Sequence, residues 1–139
     1  MKYILTILIL LFGIQLSHAT TIEMLNKNDA GERMIYSQEI ANVDVGGSIT
    51  WVATSKGHNV EFVAGPEGAT LPKKSKMNAE FTVSFDTPGI YYYVCTPHKS
   101  QGMIGLVVVG GDVSNKDAIA SAKALGKSKK KLADLISNL

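Results

Sequence analysis

Apolar residues change their pattern twice along this chain. Ile4 to Phe12 is a near-continuous apolar run broken only by Thr6. From residue 21 to about residue 109 the apolar positions come in short bursts, and several alternate. In "SITWVAT", Ile49, Trp51 and Ala53 alternate with Ser48, Thr50 and Val52; in "FTVSF", Phe81, Val83 and Phe85 alternate with Thr82 and Ser84. A period of two in β-branched and aromatic residues predicts strands with one buried face, because successive side chains of a strand point to opposite sides. "IEML", "HNVEFV", "IYYYV" and "MIGLVVV" are further strand candidates, with "VGG", "GPEGATLP" and "DTPG" as punctuating turns. Short strands at this spacing predict an antiparallel sandwich or barrel. After Gly110 and Gly111 the period lengthens. "SNKDAIASAKALG" predicts a helix with Ser114 as N-cap and Gly126 as its stop, and "SKKKLADLISNL" sets Leu132, Leu135, Ile136 and Leu139 at helical spacing. Neither helix is long enough to be stable alone in water, so both are expected to pack on the β domain.

The first apolar run follows Met1, Lys2 and Tyr3 and leads to Ser17, His18 and Ala19, with small residues where a signal peptidase reads them. This is the three-part pattern of an export signal over residues 1–19, cleaved after Ala19. The run is far short of the roughly 20 residues that span a bilayer, which argues against a membrane anchor. Without the leader, thirteen basic side chains stand against twelve acidic ones, a balance that does not suggest nucleic acid as partner. The charge is uneven. Residues 20–112 carry seven basic and ten acidic groups, whereas residues 113–139 carry six and two. The expected organisation is a β domain over 20–112 and a helical extension over 113–139 packed on it.

Cys95 is the only cysteine, so an exported chain of this sequence has no internal disulfide and is held by its core or by something the cysteine binds. "CTPHKSQGM", residues 95–103, joins two strand candidates and carries Cys95, His98 and Met103; His58, in "KGHNV", begins another strand candidate. With His18 in the leader, His58 and His98 are the only imidazoles of the mature chain. Two imidazoles, a thiolate and a thioether favour copper. A trigonal His₂Cys set with a weak axial methionine is the make-up of blue-copper electron-transfer sites. The thiolate suits Cu(II), the thioether tolerates Cu(I), and a closed ligand set leaves no position for a substrate, so no catalysis is expected at the metal. Zinc could use the same three strong ligands, but methionine is not its usual partner. A cysteine hydrolase would need a thiolate activated in an electropositive site, whereas this cysteine ends a strand.

"GHNV", "CTPH" and a methionine eight residues after the cysteine resemble the small cupredoxins. "EMLNKN", "KGHNVEF", "GPEGA", "KSKMN" and the two C-terminal helices are together similar to the pseudoazurin branch over essentially all of the mature chain. The resemblance implies a mainly β fold, an eight-stranded Greek-key sandwich with one copper ion at one end, bound by His58, Cys95, His98 and Met103. It implies that Asn59 fastens the two ligand segments, that backbone N–H groups reach the Cys95 sulfur, and that Pro97, lacking an N–H, limits those donors. It further implies a periplasmic electron carrier, receiving electrons from a c-type cytochrome and passing them to a nitrite reductase or similar enzyme. His98 would be the exit for the electron. Lys27, Lys56, Lys76 and Lys99, with Lys73 and Lys74, flank the ligand segments and are candidates for steering an acidic partner. A monomer is expected, since a transient shuttle must expose its port. Where the family usually has Tyr-Ala-Met-Gly-Met after the histidine, Lys99-Ser100-Gln101-Gly102-Met103 makes a more polar rim. The alternative from another functional class is a periplasmic copper carrier or store.

Overall fold

The computed structural model describes residues 19–139; all of the expected leader except Ala19 lies outside the described residues. Among the described residues eight strands run in chain order as β1 (Thr20–Lys27), β2 (Arg33–Tyr36), β3 (Ile40–Val43), β4 (Ser48–Val52), β5 (Glu61–Ala64), β6 (Phe81–Ser84), β7 (Gly89–Val94) and β8 (Ile104–Val109). They form two four-stranded sheets, ordered β2-β1-β4-β6 and β3-β8-β7-β5. Two pairings, β1 with β4 and β3 with β8, are parallel, so the sandwich is not wholly antiparallel as the strand spacing alone predicts. The reason is the crossing between sheets at β2 and β3, after which β4 returns beside β1 in the same direction.

β2 and β3 are absent from the sequence expectations. Neither shows a clean alternation of large apolar residues: β2 buries Ile35 and Tyr36 in succession, and in β3 only the small Ala41 is buried. β5 begins at Glu61 rather than at His58. The residues before it pair with a loop instead: Ser75 Oγ accepts from Val60 N–H at 2.9 Å, and His58 O accepts from Asn78 N–H at 2.8 Å.

The alternation in β7 and β8 sorts the core into two layers. Tyr91, Tyr93, Val107 and Val109 face between the sheets with Ile22, Tyr36, Ile49, Trp51, Phe62 and Phe85. Ile90, Tyr92, Val94, Ile104, Leu106 and Val108 face the other way, against Ile119, Leu132, Leu135 and Ile136 of the helical segment. Both strands are buried at every residue. At about 1.5–3 kcal/mol for each large apolar side chain removed from water, the outer layer is a second core. Inside the sandwich, Trp51 meets Tyr93 edge-on with ring centroids 5.2 Å apart. Gly105 is the partner of Tyr93 across β7 and β8, and a Cβ at Gly105 would sit 2.4 Å from the tyrosine Cζ and hydroxyl oxygen. The ring occupies the space that a side chain at 105 would need.

Helix α1 (Lys116–Ala120) is shorter than the sequence predicts, and α2 (Ser128–Ser137) follows it. Ser114 is not the cap: Asn115 takes that place, and its side chain is committed to β7, accepting from Ile90 N–H at 2.9 Å and donating to Ile90 O at 2.8 Å. Gly126 does not stop α1, which ends at Ala120; it lies two residues before α2 with φ +54°, pressed against the backbone of Ser100. A glycine there answers a close approach between segments rather than a helix end.

Candidate metal centre

The register of sheet two builds the centre. Val94 pairs with Ile104, and one step further Cys95 N–H donates to Met103 O at 2.9 Å, so Cys95 and Met103 are cross-strand neighbours. Both continue the inward parity of Tyr91 and Tyr93, and both are fully buried. Thr96–His98 then turns once as a 3₁₀ helix with Pro97 in its first turn, where a missing N–H is harmless. His98 N–H donates to Cys95 O at 3.0 Å, which folds the half-buried His98 back over the cysteine.

The Cys95 sulfur lies 3.4 Å from His98 Nδ1 and 3.6 Å from His58 Nδ1. The three ligand atoms are all within 4.8 Å of one another. Bonds of the length zinc makes, about 2.0 Å to nitrogen and about 2.3 Å to sulfur, at trigonal or tetrahedral angles would set N and S about 3.5–3.7 Å apart, so these separations suit a metal ion of that size. His58 is fully buried, and its Nε2 lies 2.8 Å from Asn26 Oδ1. A carboxamide oxygen only accepts, so the proton is on Nε2 and the Nδ1 lone pair faces the sulfur.

Electrostatics favour the same states. Burial holds both imidazoles below the usual histidine range, and for His58 the neighbouring His98 adds to the effect, so each ring is kept neutral and ready to ligate. Burial pushes the Cys95 thiol up, while backbone N–H groups of Asn59 and His98 partly offset this by favouring the thiolate.

Asn59 joins the two ligand segments. Its Oδ1 accepts from Thr96 N–H at 2.8 Å, its Nδ2 donates to Thr96 Oγ1 at 2.9 Å, and Thr96 Oγ1 donates to Glu61 Oε2 at 2.6 Å. Tyr36 reaches from sheet one to donate to Asn59 O at 2.8 Å. Pro97 is exposed at the rim. Lys27, Lys56, Lys76 and Lys99 are all exposed: Lys27 follows Asn26, Lys56 precedes Gly57 and His58, Lys76 lies in the loop that pairs with the His58 segment, and Lys99 follows His98. Sequence reasoning passes over Asn26, Tyr36, Thr96 and Asn78. For Asn26 a signal exists, because the inward parity of Ile22 and Met24 extends to it. For Asn78, whose Oδ1 accepts from Gly57 N–H at 2.5 Å, the contact spans an irregular loop that carries no periodicity.

The family described as copper binding proteins, plastocyanin/azurin family, matches residues 22–110. A pseudoazurin of Paracoccus pantotrophus is 38% identical over 113 residues, covering 80% of this chain and 77% of that protein. A pseudoazurin of Methylorubrum extorquens is 35% identical over 120 residues, covering 85% and 80%. The crystal structure of native pseudoazurin from Hyphomicrobium denitrificans superposes with a TM-score of 0.80 at 35% identity, over 87% of this chain and 98% of that one. The chain belongs to the plastocyanin/azurin family of copper-binding proteins, in its pseudoazurin branch. Its cofactor is therefore copper, and His58, Cys95, His98 and Met103 have the make-up of a type 1 site.

Proposed function

We propose that this protein is a periplasmic blue-copper electron carrier, with His58, Cys95 and His98 as the strong ligands and Met103 as the weak axial one. The observation that carries the reading is the convergence of a thiol and two imidazole Nδ1 atoms within 4.8 Å, with a fully buried methionine beside the cysteine. When bound, copper supplies a one-electron couple between Cu(II) and Cu(I). The chain's own residues do the rest. Asn26 fixes the His58 tautomer, Asn59 and Thr96 hold the two ligand segments in one relation, and the N–H groups of Asn59 and His98 favour negative charge on sulfur. A site so braced changes little between oxidation states, which is what rapid electron exchange requires. With the ligand set closed, no catalytic role follows for it.

His98 is the ligand nearest the surface, and we take its ring as the passage for the electron. Lys27, Lys56, Lys76 and Lys99 around the ligand segments would steer an acidic redox partner such as a nitrite reductase, with a c-type cytochrome as donor, and the monomer would separate after each transfer. Rates that fall as ionic strength rises support this steering; a flat salt response would sink it. The export signal over residues 1–19 supplies the periplasmic address. Among the described residues no helix is long and apolar enough to cross a membrane.

The deciding experiment is a visible and electron paramagnetic resonance spectrum of the mature protein after addition of Cu(II) and again after ascorbate. Intense blue absorption that bleaches and returns supports the carrier. A colourless protein that retains metal rejects it in favour of copper carriage or storage.

A further inference from the structure

The five residues from Lys99 to Met103 close the loop between two ligands, and their backbone is held from two sides. Toward the metal centre, His98 O accepts from Gln101 N–H at 2.9 Å and from Met103 N–H at 3.3 Å. The carbonyls of Lys99 and Ser100 turn away and end on the start of α2. Ser128 Oγ donates to Lys99 O at 2.6 Å, and Lys127 N–H donates to Ser100 O at 3.0 Å. Ser128 is fully buried. The fit is close: a Cβ at Gly126 would lie 2.4 Å from Ser100 O, while one at Gly102 would meet Lys131 and Lys127 at ordinary contact distance. The helix is in turn anchored to sheet two by Leu132, Leu135 and Ile136, and by the ion pair of Lys131 with Glu39, the residue before β3.

We propose that Ser128, with the Lys127 N–H and Gly126, is a positioning element for the metal-binding loop, so that α2 fixes the backbone between His98 and Met103. This rests on the reading of those residues as copper ligands. A loop tied only at its two ends could let its histidine and methionine drift apart whenever the metal changes its preferred bonds. Two further carbonyls bonded to a helix docked on the strands that carry the cysteine and the methionine remove that freedom. The hydroxyl does not touch the metal centre; it acts through the backbone of Lys99.

The test uses the mature protein, copper-free and copper-loaded, with Ser128→Ala and Lys127→Pro. Lys127 has φ −64°, which proline adopts, so the second variant removes the N–H donor by another route. Ser137→Ala is the control, since that hydroxyl bonds Asp134 O within the helix. In the copper-free protein, amide hydrogen exchange at Gln101 and Met103 is expected to quicken about three- to tenfold in both variants, the range for loss of one hydrogen bond, with Tyr92 and Leu106 unchanged. In the loaded protein, electron self-exchange slows by a similar factor at unchanged copper stoichiometry. Loop exchange equal to the parent's in both variants overturns the proposal. Quickening that extends through β7 and β8 also overturns it, by making Ser128 a support of the helix alone, and so does unchanged self-exchange with a faster loop. If the parent protein gives no blue copper, the carrier reading fails on that spectrum, while the copper-free exchange still reports whether the hold on the loop exists.

Discussion

The two sheets are alike in size and differ in what covers them. Sheet one, β2-β1-β4-β6, packs one face into the sandwich and turns the other to water, where Ser48 and Ser84, and Thr50 and Thr82, bond across β4 and β6 at 2.9 and 2.8 Å. Sheet two packs one face into the sandwich and the other under α1 and α2, and its central strands are buried throughout. All four ligands hang from sheet two: His58 ahead of β5, Cys95 after β7, His98 in the following turn and Met103 ahead of β8. Sheet one sends only supports, Asn26 to His58 and Tyr36 to the backbone of Asn59. The metal centre is thus built on the sheet covered on both faces and trimmed by the one with a face open to water.

This asymmetry can be broken in graded steps. Cys95→Ala has the largest expected effect: loss of the thiolate should abolish the intense visible band and cut copper retention by more than about 100-fold, beyond what losing a supporting residue does, as read by titration against a chelator. Leu132→Ala, beneath the outer face of sheet two, should cost about 2–5 kcal/mol in urea unfolding. Asn26→Leu leaves a buried N–H of His58 without an acceptor; copper retention should fall about 10–100-fold while the band survives, which separates a support from a ligand.

Acid gives a smaller, directional effect on the copper-free protein. Both histidines have folded pKa values below the unfolded value of about 6.5, so the unfolded chain binds more protons in that window. Stability from these groups is fully present above about pH 6.5 and is lost as pH falls toward the lower folded values, which unfolding curves at stepped pH would register. Thr50→Ala on the open face of sheet one should be smallest, below about 1 kcal/mol, and an equal cost to Leu132→Ala would erase the distinction between the sheets.

The two sheets were legible in the sequence in different ways, and each hid one strand, β2 in sheet one and β3 in sheet two. Strands β4 and β6 could be read from alternation because one face is wet. β7 and β8 could be read as short apolar runs between turns, and their parity, carried one step past Tyr93, already puts Cys95 inward. The ligand set was visible because soft sulfur and imidazole in so short a loop have few other uses. The strands β2 and β3 were not visible because their apolar residues do not alternate, and the rest depends on contacts distant in sequence: the true cap at Asn115, and the place of Gly126, whose role is set by a backbone 26 residues earlier. A glycine ahead of a helix and a glycine after one look identical until the neighbour that crowds them is known.

Gly105 and Tyr93 illustrate what such crowding does over longer times. Because the phenol ring fills the space opposite, position 105 cannot drift while the ring is present. A lineage that acquires a side chain at 105 must first, or at once, lose the ring at 93. Aligned descendants that keep the tyrosine at 93 should therefore keep glycine at 105, and a side chain at 105 should occur only where the ring is gone.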